Sequence, residues 1–279
     1  MLEGSVDKRE QLDCVHSKIG FVPKADTEEA TYHVDRCIAP IVDQEVKIRD
    51  ARTIVDELSL DREGFILVNH DMGALSETDP AVMQEKYTAE MADFLKTYLK
   101  AACVVPYAEG ELGTTLLRTA APPVAVNAEG APRQKVPMAH IDFSAQSAPV
   151  VAATSAHIHG IAARPYSRMI LIQTWCALTP APQDFPLAFV DGSTVLDTDL
   201  QPKEVDGYSQ VLWALHYNPT QRWYYFPNMN RNEIVLFLGY DSRRSDYPRV
   251  AHSSFDNRAA FPNATPRSNI ESRFWVYFE

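Results

Sequence analysis

The sequence predicts a mainly β (α+β) fold, a sandwich or jelly roll with flanking N-terminal helices, on three observations. Beyond Pro132 the chain breaks into eight short apolar segments, near 136–143, 168–178, 186–190, 209–217, 221–226, 233–240, 249–253 and 269–278, separated by Pro, Gly, Asn and Asp clusters. No helical period lies between these segments, which argues against βαβ units and a parallel sheet. The helical patterns upstream carry one apolar face each and need a sheet to bury it against, so residues 1–279 read as one domain. Within it, 1–45 is an N-terminal arm, 46–131 a helical and mixed flank, and 132–279 the β-rich core.

Composition bounds the function. A chain of 279 residues, 46% hydrophobic and 10% aromatic, can bury a sizeable core. Its formal net charge of -11, with no clustered Lys and Arg, argues against nucleic acid as a partner. No apolar run approaches the roughly 18 residues that a membrane span needs. Cys14, Cys37, Cys103 and Cys176 are scattered, without a C-x-x-C pair or an apolar N-terminal leader, which reads as reduced thiols in a cytoplasmic protein.

Taken in order, the arm mixes charge, Cys and Pro without a period, apart from a short strand signal at 30–34. In 46–58, Ile48, Ala51, Ile54, Val55 and Leu58 recur at helical spacing and predict a short amphipathic helix. The run from Gly64 to His70 predicts a strand, closed by a histidine in a hydrogen-bonded structural role. Asp79-Pro80 is an N-cap followed by proline, and Met83, Tyr87, Met91, Leu95 and Leu99 then mark the core face of a helix reaching about residue 102. Strands follow at 102–107 and 114–118, the second inside a loop-rich stretch. There is no internal repeat and no Gly-rich phosphate loop. Trp175, Trp213, Trp223 and Trp275 read as core, and Asp191 and Asp241 as turn caps.

The segment from Val136 to Ser144 carries the chemistry. His140 and Asp142 stand two apart, and on a strand such residues share a face. An imidazole and a carboxylate side by side supply two of the three protein ligands of a mononuclear non-haem iron(II) site, the third being a distant histidine, for which His252 is the candidate. His-x-Asp alone is a weak motif, more often a turn or a hydrogen-bonded core pair. On the last strand, parity places Arg267, Asn269, Glu271 and Arg273 on one face and Ile270, Phe274 and Val276 on the other. Two arginines inside a barrel are costly unless they meet an anion, and a dicarboxylate such as 2-oxoglutarate suits bidentate guanidinium pairing. Arg273 and Glu271 could equally form a cross-strand surface pair. His157 and His159 are a competing His-x-His pair of the cupin kind, but their Ala-, Ser- and Gly-rich surroundings read as loop.

Several motifs in one order then resemble a family. They are the helix with Tyr87 and Leu99, His140-Ile141-Asp142, Trp175, the run Pro182 to Ala188 with Asp191, and Arg222-Trp223-Tyr224-Tyr225. After these come Tyr240-Asp241-Ser242, His252 with Phe255, and Pro266-Arg267 with Ile270-Glu271 and Arg273. From Gly64 onward the chain resembles the fungal and bacterial non-haem iron oxygenases of secondary metabolism, of the gibberellin desaturase-like and cephalosporin 7α-hydroxylase type. The resemblance implies a double-stranded β-helix with Fe(II) held by His140, Asp142 and His252. The reading that follows is oxidation of a small molecule by dioxygen, with 2-oxoglutarate held by Arg267 and Arg273 in reserve. Thr174 and Cys176-Ala177 depart from the family's Asn and Arg-Pro around the tryptophan, and Arg267-Ser268-Asn269 departs from its Arg-Glu-Ser. Two alternatives stand beside this reading: an iron oxidase of the isopenicillin N synthase type that uses no 2-oxoglutarate, and a non-catalytic β-sandwich that binds a ligand.

Overall fold

A computed structural model of the chain describes residues 8–24, 41–108, 115–118, 138–162, 165–204 and 211–279. The strand signal at 30–34 and the first two residues of the 136–143 segment lie outside them. Strand β1 (Cys14–Phe21) forms an antiparallel hairpin with β2 (Val42–Asp50), in register from Cys14 opposite Arg49 to Phe21 opposite Val42. This corrects one expectation: residues 46–50 are strand rather than helix. The N-terminal arm, expected to pack on the main body, contributes β1. The helical spacing was real but shorter than it looked: a 3-10 segment, Arg52–Glu57, buries Ala51 and Ile54, while Val46 and Ile48 alternate along a ladder bonded on both edges. Pairing on two sides outweighs a weak local preference.

Next come β3 (Phe65–Asn69) and helix α1 (Pro80–Tyr98), whose Asp79 cap accepts hydrogen bonds from the Ala81 and Val82 amides. His70, expected to be hydrogen-bonded, instead stacks its ring on Phe94 with 4.3 Å between centroids. Strands β4 (Cys103–Pro106), β5 (Thr115–Arg118) and the two-residue β6 (His140–Ile141) follow, then helix α2 (Ala148–Ile158). That helix occupies the stretch the sequence suggests is loop. Its small residues Ala148 and Ala152 let it lie close against Phe143 and Trp275. The rest is strand: β7 (Arg168–Ala177), β8 (Leu187–Val190), β9 (Leu200–Glu204), β10 (Val211–Leu215), β11 (Trp223–Tyr225), β12 (Glu233–Asp241), β13 (His252–Ser254) and β14 (Ser268–Phe278). β9 carries a Pro and two charged residues, and no strand was expected there.

Two sheets face each other as a jelly roll. The larger runs β1-β2-β11-β8-β13-β6-β10-β9, the smaller β3-β12-β7-β14-β4, with β5 also pairing β14. Phe65, Trp175, Phe189, Tyr224 and Phe237 fill one end of the space between them. Burying each such side chain contributes roughly 1.5–3 kcal/mol. On the outside of the smaller sheet, Tyr87, Met91 and Leu95 of α1 pack on Ile172, Ile270 and Phe274. Ile270, Phe274 and Val276 thus face away from the interior, as strand parity requires. The outer face of the larger sheet is covered by its own first strand, with Ile19 and Phe21 lying over Ala139, Ile141 and Trp223. Trp175, Trp223 and Trp275 are core, while Trp213 is half-buried.

Candidate metal centre

One line of cross-strand partners crosses the larger sheet from Gln201 through Ala214, His140, His252 and Phe189 to Tyr224. His140 and His252 are direct partners in it, so both imidazoles stand on the same inward face. Ala139 and Ile141 are anchored in the apolar layer outside, which forces His140 inward. Asp142 follows at once, and Phe143 locks the turn by packing edge-on against Trp275 and Tyr107.

The three side chains converge. Among the described residues, His140, Asp142 and His252 form the one group of three potential ligands whose ligand atoms lie within 4.8 Å of one another. Asp142 Oδ1 is 3.2 Å from His140 Nε2 and 4.0 Å from His252 Nε2. His140 Nδ1 is 2.8 Å from the Met138 carbonyl; as a donor there, it leaves the Nε2 lone pair for a metal. His252 Nδ1 is buried without a partner, and its ring rests on Phe237.

Electrostatics set the same pattern. Burial works against charge on Asp142, but the Arg273 guanidinium and the histidines hold its carboxyl well below the usual range. Burial, helped by the neighbouring His140, pushes His252 down to about 4, so it is neutral. His140 is raised: burial opposes charge there, but the hydrogen bond and charge of Asp142 outweigh it. Asp142 as a carboxylate and His252 as a neutral imidazole are in the protonation states a metal needs, whereas a proton held on the raised His140 would be released on binding.

The two arginines are placed differently. Arg273 is 2.6 Å through Nε from Asp142 Oδ2 and donates through Nη2 to Glu271 Oε1 at 2.7 Å. Its Glu271 pair exists, but buried rather than on the surface. Arg267 donates from Nη1 to the Phe185 carbonyl and from its amide to Asp184 Oδ1. Burial lowers Arg267 to about 10, with Glu271 and Asp184 opposing that fall. Between Arg267 and Glu271, Asn269 is fully buried with neither side-chain atom partnered, an arrangement that awaits a polar ligand. Donor set and orphaned amide together fit iron and an acidic co-substrate.

Sequence reasoning missed Gln173, which donates to Asp142 Oδ2 at 2.9 Å. Its one sequence signal was a polar side chain inside the apolar run of β7. His157 and His159 lie exposed at the end of α2, and two residues on a helix are about 200° apart, so they share no face.

An inward two-histidine, one-carboxylate set on a jelly roll is the form of the mononuclear non-haem iron proteins. Residues 17–277 match the family model of the oxidoreductase/YMDC permease-like domain, and the chain belongs to that family. Despite the description, no helix among the described residues is long and apolar enough to cross a membrane. The chain is 25% identical over 244 residues to the Fe(II)/2-oxoglutarate-dependent dioxygenase nvfI of Aspergillus novofumigatus, covering 83% of this chain and 82% of that one. It is 27% identical over 257 residues to the hydroxylase/desaturase efuI of Hormonema carpetanum, covering 85% and 84%. Among solved structures, the iron and alpha-ketoglutarate-dependent endoperoxidase NvfI superposes with a TM-score of 0.74 at 23% identity, over 95% of this chain and 98% of that one.

Proposed function

We infer that the chain is an iron(II)- and 2-oxoglutarate-dependent oxygenase that hydroxylates, desaturates or cyclises a small molecule of secondary metabolism. The observation that carries the reading is the convergence of His140, Asp142 and His252, three ligand atoms within 4.8 Å on one inward face. Iron bound there, with 2-oxoglutarate and dioxygen, supplies the oxidising power of the reaction. The protein's own contribution is orientation and dryness. His140, Asp142 and His252 would hold the metal. Arg267, at one end of the polar row on β14, meets the distal carboxylate of 2-oxoglutarate as a charge-assisted donor, and Asn269 adds amide hydrogen bonds beside it. Phe189, Tyr224 and Phe237 close the apolar end of the interior against water. That polar row favours 2-oxoglutarate over an oxidase that uses none.

Residues 1–279 act as one oxygenase domain, a reading supported by β1 lying across the face that carries His140 on its other side. The partners are a small substrate and dioxygen. The free thiols of Cys14, Cys103 and Cys176 accord with a cytoplasmic setting.

The test is succinate formation with iron(II), 2-oxoglutarate and oxygen across a panel of amino acids, peptides and terpenoids. His140→Ala, Asp142→Ala and His252→Ala should each abolish iron binding in elemental analysis and keep the circular dichroism of the parent. A folded His252→Ala protein with full iron content and turnover would sink the assignment.

A further inference from the structure

We propose that Arg273 and Gln173 are positioning residues that hold Asp142 as a one-oxygen ligand, fixing Oδ2 away from the metal and presenting Oδ1 to it. The inference rests on the reading of His140, Asp142 and His252 as the metal set. The two carboxylate oxygens have separate surroundings. Oδ1 faces both imidazoles, at 3.2 and 4.0 Å. Oδ2 accepts from Gln173 Nε2 at 2.9 Å and faces Arg273 Nε at 2.6 Å and Nη2 at 2.5 Å.

These donors come from the opposite sheet. Arg273 and Gln173 are register partners on β14 and β7, so they rise side by side from one line of the smaller sheet toward the carboxylate of the larger. Both are buried, at 5% and 1% exposure, and Glu271 restrains the guanidinium from its other side at 2.7 Å. A buried carboxylate between such donors cannot turn over without breaking charge-assisted bonds. With Oδ2 held among these donors, Oδ1 is the oxygen turned toward the two imidazoles. Were Asp142 to give both oxygens, it would take up a position on the metal that a co-substrate or dioxygen would otherwise use. Arg273 therefore works on the metal's ligand and leaves the 2-oxoglutarate carboxylate to Arg267.

The test reads the metal without turnover. Apoprotein is titrated with cobalt(II), and the carboxylate stretching bands are taken from the metal-bound minus metal-free infrared difference spectrum. A one-oxygen ligand shows a wide splitting of these bands, a two-oxygen ligand a narrow one. The parent should bind one cobalt per chain with wide splitting. Gln173→Met, which keeps the side chain's length and removes the donor, should bind about tenfold to a hundredfold more weakly, the usual loss for a partner behind a metal ligand. The paired change Glu271→Gln with Arg273→Gln, which removes one charge of each sign, should weaken binding as much and narrow the splitting. Should that pair fail to fold, Gln173→Met carries the test alone. Folded variants with the parent's cobalt affinity and splitting overturn the proposal. A parent that binds no cobalt, or a His252→Ala protein that binds as much, overturns instead the metal reading beneath it.

Discussion

Arg267, just ahead of β14, and Arg273 lie six residues apart on one face, and their guanidiniums have different partners: the Phe185 carbonyl for the first, whose backbone amide donates to Asp184, and two carboxylates for the second. With Arg267 holding the 2-oxoglutarate carboxylate as proposed, its removal would take away a charge-assisted bond to a desolvated carboxylate, worth roughly 1.5–3 kcal/mol, or about tenfold to a hundredfold in affinity. Arg267→Ala should therefore raise the KM for 2-oxoglutarate by that factor and leave the KM for the substrate nearly unchanged. Steady-state kinetics with each varied in turn will show it; if Arg273→Ala produces the effect and Arg267→Ala does not, the carboxylate lies further along the strand. At this scale the sequence was partly legible. Strand parity put both arginines inside, because alternation is local. It could not say that Arg273 would meet Asp142, because that contact depends on how two sheets stack over a sequence separation of 131 residues.

Elements set where such residues point. His157 and His159 end α2 exposed, on different sides of a helix. Replacing both by Ala should leave one iron per chain and the charge-transfer band that 2-oxoglutarate gives on chelating it; loss of both signals there, with both retained in His140→Ala, would move the metal site to the helix. Gly64 makes a second case. It precedes β3 with φ of +83°, and an added Cβ would stand 2.2 Å from Val250 Cγ2 and 2.9 Å from Pro248 Cβ, just ahead of His252. Gly64→Ala should cost at least about 1–2 kcal/mol from the left-handed backbone alone, before the clash is counted. A fall in the urea midpoint would record the loss, and an unchanged midpoint would overturn both the backbone cost and the clash. The elements that read well were those with strong local signals: the capped, striped α1 and the long apolar strands β7, β12 and β14. Those that read poorly depended on distant partners. β2 resembled a helix because a 3-10 turn follows it, α2 lacked a stripe because its residues are small, and β9 is strand because β10 pairs it.

Across the whole molecule, buried carboxylates tie stability to pH. Glu63 is lowered: burial opposes this, but hydrogen bonds from Arg62, Arg9 and the Ser59 amide prevail. Glu233 is lowered too, with burial again opposing and Arg52 prevailing, and Asp142 lies well below the usual range. A depressed carboxyl binds its proton less readily folded than unfolded, so its stabilising effect is full above the ordinary carboxyl pKa of about 4 and fades as pH falls through the folded value. The carboxyls should therefore lower the urea midpoint as pH falls below about 4.5, beyond the change that His252, held at about 4 in the fold, contributes between there and about 6.5; Glu63→Gln should flatten the acid slope, and an equally steep curve in the variant would rule Glu63 out as a contributor. The direct pairing of His140 with His252 has a consequence for manufacture of the folded chain. Side chains alternate sides along a strand, so a slip of one residue in either segment would turn one imidazole out of the barrel. On the proposed metal reading, metal retention would therefore report that β6 and β13 have paired in register.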